Sequence, residues 1–142
     1  MPAADAPAGS DTCTVDTTAA CVAATTHSDL PWIEQNIFVG SCAFSGCHSS
    51  PTDLGKLDLR AGMSHDALVG IASKLETTRK LVVANDIHAS YLMLMLHDFD
   101  PAMATPPGSA PSVGYMPQGL PLLCCQKLQA VERWIMAGAP AN

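Results

Sequence analysis

A mainly α fold, one domain of about four helices joined by long loops, is predicted by three observations. The 142 residues, 48% of them apolar, suffice for one core and are too few to suggest two. Apolar side chains recur at helical spacing in four separate segments, each with recognisable start or stop signals. The only β-like run, "KLVVAND", has no partner strand in view and reads as an extended connector.

Residues 1–29 are rich in Ala, Thr, Pro, Ser and Asp and have neither helical nor strand period. They read as a flexible tail held at most by Cys13 and Cys21, leaving residues 30–142 as the folded domain. The first helix is predicted in "SDLPWIEQNIF", where Ser28 or Asp29 can cap, Pro31 suits the first turn and Ile33, Ile37 and Phe38 share a face. A second is predicted in "MSHDALVGIAS", with Ser64 as N-cap, Asp66 in the first turn, and Leu68 and Ile71 inward. A third is predicted in "DIHASYLMLMLHDF", with Ile87, Tyr91, Leu94 and Met95 inward. Residues 100–121 hold six of the eleven prolines and form a long structured loop. The last helix is the clearest. In "LPLLCCQKLQAVERWIMAGAP", Leu128, Val131, Trp134 and Ile135 make the buried face, Gly138 stops the helix and Pro140 prevents its restart.

Composition excludes several functions. A net charge of −6 with seven scattered Lys and Arg provides no basic face for a phosphate backbone, so nucleic acid is not an expected partner. Apolar runs such as "YLMLML" are far shorter than the roughly 20 residues needed to cross a bilayer. Six cysteines, at 13, 21, 42, 47, 124 and 125, fit an oxidising compartment. The expected location is periplasmic or otherwise extracytoplasmic, secreted or lipid-anchored. Since the N-terminal residues carry no basic and apolar leader, an export signal is expected to have been removed upstream of them. Aromatics are sparse at 5%, which suggests that a cofactor contributes apolar bulk to the core.

The chemistry concentrates in "GSCAFSGCHSSP", residues 40–51, where His48 directly follows Cys47 and four residues separate Cys47 from Cys42. Two thiols can add to the two vinyl groups of a haem, and a histidine adjoining the second cysteine then lies beneath the iron. The usual spacing is two residues. Four serve if the extra pair bulges outward, which Ser45 and Gly46 permit. Taken alone, the motif equally allows a small Cys42–Cys47 disulfide with His48 on the surface. Zinc is less well matched, because no second Cys or His pair stands at the expected distance.

A sixth iron ligand has a candidate in Met116, placed by "GYMPQGLP" in a proline- and glycine-bounded loop before the last helix. Met93 and Met95 lie in an apolar helical pattern and are expected in the core, whereas Met63, Met103 and Met136 lack the loop context. His65, His88 and His97 are expected to be surface or capping residues.

The succession "CAFSGCH", "LGKLDLRAG", "HDALVG", "VVANDIHASYLMLML", "YMPQGLPL", "VERWIMAGAP" resembles the small cytochrome c-type domains of planctomycetes and myxobacteria, over roughly residues 31–140. The resemblance implies a cytochrome c-like fold carrying one covalent haem c. Cys42 and Cys47 would be the thioether attachments, and His48 and Met116 the proximal and distal ligands of the iron. The function implied is one-electron transfer without conversion of a substrate. The acidic net charge then favours a redox partner with a basic docking face. Two departures from the pattern are the four-residue loop and the cysteines at the start of the last helix. Adjacent Cys124 and Cys125 are expected to reach elsewhere, and pairing them with Cys13 and Cys21 would tie the tail to the last helix. The alternatives are a haem-free, disulfide-braced extracellular interaction module and a small metal carrier using His48 and methionine sulfur.

Overall fold

The computed structural model of this chain describes residues 13–42, 57–117 and 120–142. Within them the elements are helical: α1 (Ala19–Ala24), α2 (Leu30–Ile33), a π-helical turn (Glu34–Phe38), α3 (Val39–Ser41), α4 (Ser64–Leu68), α5 (Tyr91–Met95), a 3-10 turn (Pro101–Met103) and α6 (Cys125–Met136). No strand is formed among the described residues. The chain is mainly α, as its periodicity predicts.

Asp29 caps α2, its carboxylate accepting from Trp32 N at 3.1 Å with Pro31 in the first turn. α2, the π turn and α3 follow one another directly over residues 30–41, and the wide turn adjusts the phase of the helix surface. This places Ile33, Ile37 and Phe38 in the core together with Glu34. The buried Glu34 carboxylate accepts from Gly62 N at 3.0 Å, from Ser64 N at 3.3 Å and from the Ser64 hydroxyl. Here the structure corrects the expected cap. Ser64 is the first residue of α4, the N-cap position belongs to Met63, and the donors at the start of α4 are satisfied by a carboxylate thirty residues away in sequence.

α4 ends at Leu68 because Gly70, at φ +75°, turns the chain out of the helix. Ile71 therefore does not share the buried face of Leu68 as predicted; it is 41% exposed. Within "KLVVAND", residues 80–83 run through the isolated bridges Val69 to Val82, Ala72 to Lys80 and Lys80 to Ser90, whereas Ala84 and Asn85, the latter at φ 66°, form a turn and not the extended chain expected there. The third helix is shorter than predicted. Residues 86–90 form a turn in which Asp86 accepts from Ala89 N, while the Ser90 hydroxyl donates to Asp86 O and accepts from Val83 N. These side-chain bonds compete with helix, so α5 starts only at Tyr91, and Ile87 is half-buried.

α6 matches its prediction, with Leu128, Val131, Trp134 and Ile135 inside, Gly138 at φ +101° after its end, and Trp134 Nε1 donating to Pro140 O at 2.8 Å. The segment from Cys13 onward, read as a tail, contains α1, which packs on α6. Disulfides Cys13–Cys125 and Cys21–Cys124 join the two segments. Cys125 N donates to Thr14 O, Gln126 and the backbone of Asp16 exchange a pair of hydrogen bonds, and Arg133 donates to Ala24 O and His27 O at the end of α1. No local period announces α1, because the partners that hold it lie more than a hundred residues away.

Candidate functional site

An apolar cavity of about 320 Å³, lined by none of the four bridged cysteines, opens between the end of α3, α4, residues 71–75, α5 and the loop that carries Met116. A cavity of this size lies at the lower end of the ~300–1,000 Å³ range of pockets that take small organic ligands. Leu57, Leu59, Leu81, Leu92 and Leu96 contribute much of the wall, and among the described residues Lys74 is the single formally charged side chain lining it.

Cys42 and Met116 both line this cavity. Cys42 is the C-cap of α3, its amide donating to Phe38 O at 2.8 Å, so the helical run from Leu30 to Ser41 delivers this cysteine to the wall. Cys47 and His48 lie outside the described residues. The cavity wall thus holds a cysteine sulfur and a thioether from two remote parts of the chain, in surroundings with few polar groups among the described residues.

Met116 is held from behind by the end of α5. Its amide donates to Met95 O at 2.8 Å, and the neighbouring Tyr115 ring stacks on His97 with centroids 3.9 Å apart and planes 8° from parallel. α5 closes in a Schellman arrangement, His97 N donating to Leu94 O and Asp98 N to Met93 O. The position that usually holds glycine is His97, at φ 58°. His97 therefore anchors the methionine loop. His88 packs against Phe99, and His65 lies beside Asp66. Met93 and Met95 are buried as predicted, Met95 also forming cavity wall, while Met63, Met103 and Met136 are exposed.

Sequence reading missed two groups. Asp98 is 0% exposed and Glu132 8%, and no amide or hydroxyl donor reaches either oxygen of Asp98. Burial pushes Asp98 up to about 10, reinforced by its hydrogen bond to Glu132 and by that group's charge. Burial also raises Glu132, against the lowering effects of the Asp98 hydrogen bond, His88 and Arg133. Both carboxyls are thus shifted toward the neutral form, and the pair as a unit retains a proton that exposed carboxylates would release. The signal for Glu132 was its place between Leu128 and Ile135, at i+4 and i−3, on the buried face of α6. The second group is the cavity rim, where Ile71, Leu75 and Val113 are 41%, 47% and 42% exposed; its members are too far apart in sequence to form a motif.

Among the described residues no cluster of three or more His, Cys, Asp or Glu could hold a metal ion, and no helix is long and apolar enough to cross a membrane. No protein-family model, curated protein or solved structure matches the chain.

Proposed function

We propose that this chain is an exported monohaem c-type cytochrome that transfers single electrons. Cys42 and Cys47 would hold the haem by thioether bonds, and His48 and Met116 would bind its iron. The observation that supports this reading best is that Cys42 and Met116, chosen from sequence for opposite ends of one haem site, line the same apolar cavity. The donor set fits the group: leucines suit a porphyrin face, a thiol suits vinyl addition, and a thioether suits a haem iron of raised potential. When bound, the haem supplies a one-electron ferric/ferrous couple.

The protein's part in such a site is positioning and exclusion of water. The α3 terminus carries Cys42 to the wall, and the amide bond to Met95 with the Tyr115–His97 stack fixes the backbone beside Met116. No group that would transform a substrate is needed, so the chain acts as a carrier and not as an enzyme. Its partner is another redox protein. An extracytoplasmic location is supported by the two disulfides, which persist where thiols are not kept reduced. The disulfides would serve a haem-free interaction module equally well; the cavity with its sulfur donors favours the cytochrome.

The test is expression in a host with haem-ligation machinery, followed by absorption spectra of both oxidation states and a pyridine haemochrome. The expected product is red, with the signature of thioether-linked haem. Met116→Ala should remove the weak sulfur-to-iron band of the ferric state and lower the potential, and His48→Ala should impair haem incorporation. A colourless protein with Cys42 bridged to Cys47 would overturn the proposal in favour of the module.

A further inference from the structure

The charges of this acidic chain are unevenly distributed. Residues 57–81, which supply much of the cavity wall, hold four of the seven Lys and Arg and only three of the thirteen Asp and Glu. The rest of the chain is correspondingly more acidic than the net charge of −6 conveys. Within the segment, Arg60 pairs with Asp58 at 2.7 Å and Arg79 with Glu76 at 3.6 Å. Lys74 and Lys80 are exposed and enter no ion pair among the described residues. Lys74 lines the cavity, and Lys80 adjoins it through its backbone bridge to the lining residue Ala72. Around them stand three exposed aliphatic side chains, Ile71, Leu75 and Val113.

We infer that the rim of the cavity is the docking face for the redox partner, and that the partner presents an apolar contact bordered by carboxylates. This rests on the electron-transfer reading above and reverses the expectation of a basic partner drawn from net charge. The reversal follows from where the charge sits. Two ammonium groups that meet no carboxylate among the described residues, beside an apolar opening, attract acid locally, and the acidic remainder of the chain then orients the molecule with the rim toward an anionic partner. The exposed aliphatics provide the desolvated centre that a short-lived electron-transfer contact needs, with the lysines at its edge. A basic partner would be drawn instead to the acidic surface away from the opening.

Voltammetry of the haem-loaded protein on gold tests this, using one monolayer of mixed methyl- and carboxylate-terminated alkanethiols and another of amine-terminated chains. Electron exchange is expected on the carboxylate monolayer at low ionic strength, weakening as salt is added. The double substitution Lys74→Glu with Lys80→Glu should reduce that exchange by about tenfold or more, and Lys127→Glu on α6 should leave it near the parent value. Exchange confined to the amine monolayer, or equal loss with Lys127→Glu, overturns the docking face while leaving electron transfer intact. A chain that takes up no haem, or shows no wave with a soluble mediator, overturns the electron-transfer reading and the docking face with it.

Discussion

Two regions of the core use sulfur in opposite ways. In one, Cys13, Cys21, Cys124 and Cys125 are spent in two disulfides, and the surrounding polar groups are matched, with Gln126 on Asp16, Arg133 on the end of α1 and Cys125 N on Thr14 O. In the other, Cys42 and Met116 border a cavity walled mainly by leucines, and neither belongs to those disulfides.

The largest effect that would break this contrast is removal of the strap. The bridges span 112 and 103 residues. In the chain-entropy model the first closure contributes roughly 4–5 kcal/mol, while the second, nested within it, closes only a short loop and adds about 2–3 kcal/mol. Cys124→Ser with Cys125→Ser should therefore lower stability by more than about 5 kcal/mol, enough to unfold many domains of this size. Either single variant should lose clearly less than half of that total if its remaining bridge still closes the long loop. Thermal melts with and without reductant measure this. A double variant melting within a few degrees of the parent would show that the strap is dispensable.

The next effect concerns the boundary between the two regions, where Asp98 follows α5 and Glu132 lies on α6. Asp98 is raised to about 10 from 3.8, so the native state keeps a proton that the unfolded chain releases above pH 4. The unfolded state thus binds fewer protons across this window, and the pair's contribution to stability falls as pH rises from about 4 toward 10. The expected outcome is a melting temperature higher at pH 5 than at pH 8. Asp98→Asn, which keeps a donor toward Glu132 without needing a proton, should flatten that slope and stabilise the fold at pH 7 by roughly 2–4 kcal/mol. Denaturant unfolding of both proteins at several pH values decides it. A slope of the same sign and size in the Asn variant would remove the pair from the account.

How much of this was legible in the sequence depends on how far away the deciding partner lies. α6 could be read through its own period and its Gly138 stop, and the start of α2 could be narrowed to a cap at Ser28 or Asp29 by the Pro31 that follows, because each is decided within one or two turns. Ser64 was misassigned as a cap because Glu34, thirty residues upstream, supplies the carboxylate. α1 was missed for the same reason, and the first turn of the third helix was lost to local bonds of Asp86 and Ser90. Of the candidate site, Cys42 and Met116 were named from sequence and share a cavity wall, whereas the buried Asp98–Glu132 pair and the lysine-bearing rim emerge only when remote segments meet. Net charge gave no warning of that rim.

The smallest effect sharpens the contrast most, because it separates fold from site at a single residue. His97 occupies a left-handed position at φ 58°, which glycine adopts freely and alanine does not. It also stacks on Tyr115, a contact of about 0.5–1.5 kcal/mol by the measure of aromatic pairs. His97→Gly relieves the backbone and loses the stack, so its stability should stay within about 1 kcal/mol of the parent, and His97→Ala should be less stable than the Gly variant by about 1 kcal/mol. If the ring is there to anchor the methionine loop, both variants should loosen it equally despite their different stabilities. Amide exchange at Met116, whose N–H is bonded to Met95 O, should accelerate severalfold in both. Exchange that followed stability instead, fast in the Ala variant and unchanged in the Gly variant, would make His97 only the end of a helix and leave Met116 held by its backbone bond alone.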